Sequence, residues 1–105
     1  MGVETQTDPL ANDVEWFLDH LAMHRGASAH TVDAYRRDLL VLREFLHERG
    51  LTRWRDLNSD RVDAFVANLG PPLARTTAQR RMSSFRSFVK FLKRQGVGPD
   101  MELPS

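Results

Sequence analysis

"SAHTVDAYRRDLLVLREFLHERG", Ser28 to Gly50, decides the fold. Val32, Tyr35, Leu39, Leu42 and Leu46 recur at three- and four-residue spacing, the signature of one apolar helix face. Ser28 is a natural N-cap and Gly50 a natural stop, so the spacing predicts a helix over about 29–49. Val41 and Phe45 point to another side. A helix with two apolar sides belongs in the middle of a bundle.

The flanking segments repeat the helical pattern and show no convincing strand. Val14, Phe17, Leu18 and Leu21 share a face, which predicts a first helix over about 13–24. Asn12 is its expected N-cap, Glu15 completes a capping box, and Gly26 follows the last turn. "LTRWRDLNS" reads as a connector with a short turn around Trp54. A third helix is expected over about 60–69, capped by Asn58 or Ser59 and closed by Gly70, with Val62, Phe65, Val66 and Leu69 inward. Pro71 and Pro72 then break the chain. A fourth helix is expected over about 77–95, with Thr76 or Thr77 as cap and Gly96 as stop. The fold class is therefore all-α: a small bundle of four main helices plus a fifth short turn. Residues 1–11 read as a flexible N-terminal segment, 12–97 as the domain and 98–105 as a tail.

Composition narrows the function. The chain has 105 residues, which suits one domain with a core of its own. It has no cysteine, which removes disulfides and thiolate metal sites. No apolar run reaches membrane-spanning length, and the acidic, polar start has no signal-peptide pattern. Met-Gly at the start is read as an ordinary terminus, not a lipidation signal.

The formal net charge of +1 hides a segregation. Residues 1–72 carry a net −4, residues 73–97 carry +7 with no acid, and residues 98–105 carry −2. On a helical wheel Ala78, Met82, Phe85, Phe88, Val89 and Leu92 form a core face. The opposite arc holds Gln79, Arg80, Ser83, Arg86, Ser87, Lys90, Lys93 and Arg94. Arg81 lies at the edge, placed to snorkel or to pair with an acid. A merely solvated face gains from opposite charges at i,i+4, yet Arg86, Lys90 and Arg94 form a ladder of one sign. Arg and Gln read base edges, while Lys, Ser, Thr and a helix N-terminus hold phosphates. Thr76 and Thr77 at that N-terminus make a phosphate site. The pattern points to nucleic acid, with an acidic protein partner as the alternative.

Two stretches also resemble a family. Ser28–Gly50 resembles the Ser-x-x-Thr-x-x-x-Tyr-x-x-Asp-Leu helix of tyrosine recombinases. "RRMSSFRSFVKFLKRQG", Arg80 to Gly96, resembles their Arg-x-Leu-Ser-x-x-Arg-x-Phe-x-x-Phe-Leu helix, and "WRDLNSDRVDAFVANL" resembles the third helix with its lead-in. The likeness spans about residues 12–97 and is nearest to the Xer and phage-integrase branch. Met82, Phe85 and Val89 depart from the family's usual core residues, and "PPLA" matches no family pattern.

The resemblance implies the N-terminal core-binding domain, a SAM-like bundle that forms half of a clamp on duplex DNA through its second and fourth helices. By position, Ser28, Thr31 and Tyr35 match the second-helix motif, and Arg80, Ser83 and Arg86 the fourth. His30 and Arg37 would then lie near DNA too. The implied protein acts as a tetramer on two DNA sites, in the cytoplasm at the nucleoid. First-helix residues Val14, Trp16 and Phe17 are candidates for contacts between protomers, with Val14 and Phe17 also readable as plain core.

The family's catalytic arginines, lysine, histidines and tyrosine belong to a second domain, so this chain is expected to bind DNA without catalysis, with residues 98–105 leading towards that domain. Tyr35 reads as a core residue and not a nucleophile. No cofactor is expected. His20 and His24 are spaced to chelate a metal, but no third ligand accompanies them, so no metal site is expected. Asp19 and Asp38 read as ordinary helix acids.

Overall fold

The computed structural model describes residues 8–69, 73–101 and 103. Four α-helices and one 3-10 turn account for its regular structure: α1 (Pro9–His24), α2 (Ala29–His47), the turn Trp54–Asp56, α3 (Ser59–Ala67) and α4 (Arg75–Arg94). No strand occurs among the described residues. Helix α2 packs against α1, α3 and α4, the central place that its two apolar sides require.

Helix α1 starts four residues earlier than expected. Asp8, not Asn12, is the N-cap, and its carboxylate accepts from the backbone N–H groups of Leu10 and Ala11. Pro9 follows at the first helical position, where its missing N–H costs nothing. Residues 8–11 are thus the cap and first turn of a helix, with Leu10 fully buried; residues 1–7 lie outside the described residues. Glu15 is not part of a capping box. Its carboxylate accepts from Arg36 Nε and Nη2 at 3.1 and 3.0 Å, tying α1 to α2.

The core joins all four helices. Phe17 of α1 meets Phe88 and Phe91 of α4 and stacks on Tyr35 of α2. Trp54 lies edge-on to Phe88 at 4.8 Å between centroids and donates its indole N–H to Leu10 O at 2.9 Å. That bond satisfies the one polar group a buried indole carries. Phe65 of α3 bridges Phe45 of α2 and Phe85 of α4. Two expected inward residues face solvent instead: Val41 and Val66 are both more than a third exposed. Helix α3 is nine residues long, and its inner side is filled by Val62 and Phe65, which leaves Val66 outside.

Helix α4 begins at Arg75 with Ala74 at the N-cap and no side-chain cap. Thr76 and Thr77 are therefore first-turn residues, not caps. Gly70, Pro71 and Pro72 lie outside the described residues. At its far end Gly96 takes φ +78°, and Val97 N donates back to Leu92 O at 3.1 Å, closing the last turn.

The chain after Gly96 folds back on α4. Pro99 is buried, and Val97, Met101 and Leu103 pack on the core. Gly98 runs so close to α4 that a Cβ there would sit 2.7 Å from Lys93 N. These described residues pack against the helical core.

Hydrogen bonds from Arg36 hold the Glu15 carboxyl below its ordinary value, and partial burial opposes this. A lowered carboxyl adds stability above its ordinary value of 4.5 and loses it as the pH falls through the lowered value. Glu15→Gln should cost about 0.5 kcal/mol in urea denaturation at pH 7, as befits a half-exposed pair. The deficit should close as the pH drops below the lowered folded value.

Candidate nucleic-acid interface

Helix α4 presents one basic face because its apolar residues fill the other. Ser84, Phe85, Phe88, Val89, Phe91 and Leu92 are buried. Gln79, Ser83, Lys90, Lys93 and Arg94 are exposed, and Thr77, Arg86 and Ser87 are half-buried at the flank. From Thr76 to Arg94 the face runs roughly 27 Å, about eight base-pair steps of duplex. Arg75, Arg86, Lys90 and Arg94 make no ion pair or side-chain hydrogen bond among the described residues. Lys93 differs, since its Nζ donates to Met101 O at 3.1 Å. It sits in a cleft of about 390 Å³ between α4 and the returning chain, lined also by Arg86, Lys90, Arg94, Met101 and Leu103.

Arg80, a predicted DNA contact, and Arg81, expected at the edge of the core, both meet Asp38 of α2. Arg80 donates through Nε and Nη2 to Asp38 Oδ2 and Oδ1 of α2, both at 2.8 Å. Arg81 Nε lies 3.6 Å from Oδ1, an ion pair too long for a hydrogen bond, which fulfils the expectation of an acidic neighbour. Ser84 Oγ lies 3.2 Å from Oδ2 and 3.0 Å from Arg80 O, with one proton to share between them. Asp38 is only 2% exposed, so it is no ordinary helix acid. Its hydrogen bonds and charge hold the Arg80 guanidinium above its usual pKa.

The sequence pattern held a signal against reading Asp38 as an ordinary helix acid, and the same signal marks Ser84. Asp38 is three residues after Tyr35 and four before Leu42, inside the apolar stripe. Ser84 is likewise four residues before Phe88. Polar groups within a buried stripe need partners, and these two found each other.

On α2, Ser28 Oγ accepts from Thr31 N and donates to Thr31 Oγ1, both at 3.1 Å, so the two hydroxyls serve the helix cap. His30, Thr31 and Arg37 are exposed, and Arg37 has no ion-pair partner among the described residues. Helix α2 meets α4 where Asp38 meets Arg80 and Ser84. Among the described residues, no hydrogen bond or ion pair joins Ser28, His30, Thr31 or Arg37 to Gln79, Arg80, Ser83, Arg86, Ser87, Lys90 or Arg94.

Two of the candidate protomer contacts on α1 are excluded as surface residues, because Val14 and Phe17 are fully buried. Trp16 is 43% exposed and rests edge-on against Phe91 at 5.0 Å. His20 and His24 stack on each other, and His20 also lies on Phe91. No group of three or more metal-ligating side chains occurs among the described residues. No helix among them is long and apolar enough to cross a membrane.

Comparison with known proteins agrees with this architecture. The phage integrase N-terminal SAM-like domain family matches residues 14–96. A tyrosine recombinase XerC of Roseiflexus castenholzii is 45% identical over 85 residues, covering 80% of this chain and 27% of that protein. A tyrosine recombinase XerD of Rhizobium meliloti is 38% identical over 95 residues, covering 90% of this chain and 30% of the relative. A tyrosine recombinase XerC of Pseudomonas aeruginosa is 36% identical over 85 residues, 80% of this chain and 28% of that one. The chain thus spans less than a third of these relatives. No solved structure gives a significant match.

Removing a buried carboxylate strands the cations it neutralised. Asp38→Ala should destabilise the domain by about 2–3 kcal/mol, below the cost for a fully buried pair because both arginines keep some water. Urea denaturation measures it.

Proposed function

Because the chain belongs to the family of phage integrase N-terminal SAM-like domains, we propose that it is the DNA-binding half of a site-specific tyrosine recombinase. It grips duplex DNA through α4 and the N-terminal half of α2. The observation that carries this reading is the like-charged row Arg86, Lys90 and Arg94, which lies along one helix edge. None of its three cations has an acidic partner among the described residues. Unpaired cations at one-turn spacing repel each other, and a row of phosphates relieves that repulsion.

The contacts divide by chemistry. Arg86, Lys90, Lys93 and Arg94 meet backbone phosphates, and Thr76 and Thr77 add hydroxyls beside the uncapped N-terminus of α4. Gln79, Ser83 and Ser87 are short enough to approach base edges in the major groove. His30, Thr31 and Arg37 of α2 supply the second contact line, with Ser28 holding that helix end. Strand cleavage belongs to the remainder of a recombinase of the relatives' length, and this domain alone binds without cutting. In the whole protein Trp16 is the residue offered to a neighbouring protomer of a tetramer.

Fluorescence anisotropy with a labelled duplex of about 30 base pairs tests the reading. The logarithm of affinity should fall linearly with the logarithm of salt concentration. Arg86→Ala, Lys90→Ala and Arg94→Ala combined should lower the slope by about 3, close to one per lost phosphate contact. Salt-insensitive binding, or a triple variant equal to the parent, would refute it and turn attention to an acidic protein partner.

A further inference from the structure

We propose that Asp38 is a positioning residue for DNA binding: it grips the inner edge of Arg80 so that the outer guanidinium edge is set to receive a backbone phosphate. The inference rests on the DNA-binding reading above and adds a residue that does not itself touch DNA.

The geometry is that of a two-sided fork. A guanidinium has five N–H donors in one plane. Asp38 takes the Nε donor and one Nη2 donor, at 2.8 Å each. The three remaining N–H groups have no partner among the described residues. They project from a side chain that is 47% exposed, while the carboxylate beneath it is 1% exposed. The inner edge is dry and the outer edge is wet. Two outward N–H groups in a plane match two oxygens of a phosphodiester.

The carboxylate is itself held. Ser84 Oγ lies on Oδ2 and Arg81 Nε on Oδ1, so Asp38 has little freedom to turn away. Arg81 also settles the charge. Two guanidiniums on one carboxylate leave the cluster net positive, so Asp38 orients Arg80 without erasing its attraction for an anion. An arginine ordered before its ligand arrives loses less freedom on binding than one that waves in solvent.

Charge and positioning predict opposite signs. Asp38→Asn removes a negative charge beside the DNA face, so charge alone would tighten binding. Positioning requires the reverse: roughly tenfold weaker binding, the worth of one charge-assisted contact. The salt slope should also drop by about 1. Anisotropy on the full chain, well below the melting temperature of each variant, reads both quantities. A merely structural role would shift the melting curve and leave the slope in place.

Arg80→Lys is the second variant, at a side chain exposed enough to spare the fold. Lysine keeps the charge but cannot bridge carboxylate and phosphate in one plane. It should bind nearly as weakly as Arg80→Ala, and adding Asp38→Asn to Arg80→Ala should cost no further affinity. Binding by Asp38→Asn as tight as the parent, or parent-like binding by Arg80→Lys, overturns the proposal. Those results leave the DNA-binding reading intact wherever the parent retains its salt slope. Absence of that slope in the parent is the separate failure of the DNA-binding reading itself.

Discussion

A carboxylate with almost no water around it is the constraint on which this bundle turns. An unpaired Asp38 at the meeting of α2 and α4 would cost about 3–5 kcal/mol, a large share of the stability of a small domain. Arg80, Arg81 and Ser84 must therefore arrive together from α4, and they can do so only in one register of that helix against α2. Apolar packing is tolerant by comparison. Phe85, Phe88 and Leu92 would accept small slides along α2, whereas a bidentate pair at 2.8 Å would not. Registering α4 also sets which of its residues face outward.

The polarity of the surface follows from this. Once the inner side of α4 is committed to the core and to Asp38, Arg75, Lys90 and Arg94 are left exposed, with Arg86 half-buried beside them. The acids lie largely in the earlier part of the chain, and two of them fasten α1 to α2. Glu15 holds Arg36, and Asp8 both caps α1 and pairs with Arg43. Among the described residues no acid pairs with Arg86, Lys90 or Arg94. The nearly neutral chain thus acquires one strongly positive edge, which is what attraction to a polyanion needs.

Much of this was legible in the order of residues. The stripe Val32, Tyr35, Leu39, Leu42 and Leu46 identified the central helix, and the sign segregation identified the basic face. Helix ends were read less well, for local reasons. Asn12 and Thr76 are good capping residues, but Asp8 followed by Pro9 is a stronger start, and Leu10 is drawn inward by the indole of Trp54. That last contact spans 44 residues and leaves no local trace. Val66 failed for a similar reason, since a one-dimensional pattern does not reveal that a short helix has only a narrow inner side. Arg80 lies on the outward arc of the wheel and is exposed, but the wheel does not give its partner. Its partner lies 42 residues upstream and shows itself only as an acid set inside an apolar stripe.

One face, α4 with the start of α2, is the proposed contact with DNA. The most direct test is a two-dimensional NMR titration of the isotope-labelled domain with a short duplex. Amide shifts should cluster at Thr76–Thr77, at Ser83–Arg94 and at His30–Arg37. The exposed α1 edge from Trp16 to Met23 should stay still. Shifts that map to that α1 edge, or none at low salt, would contradict the proposed contact.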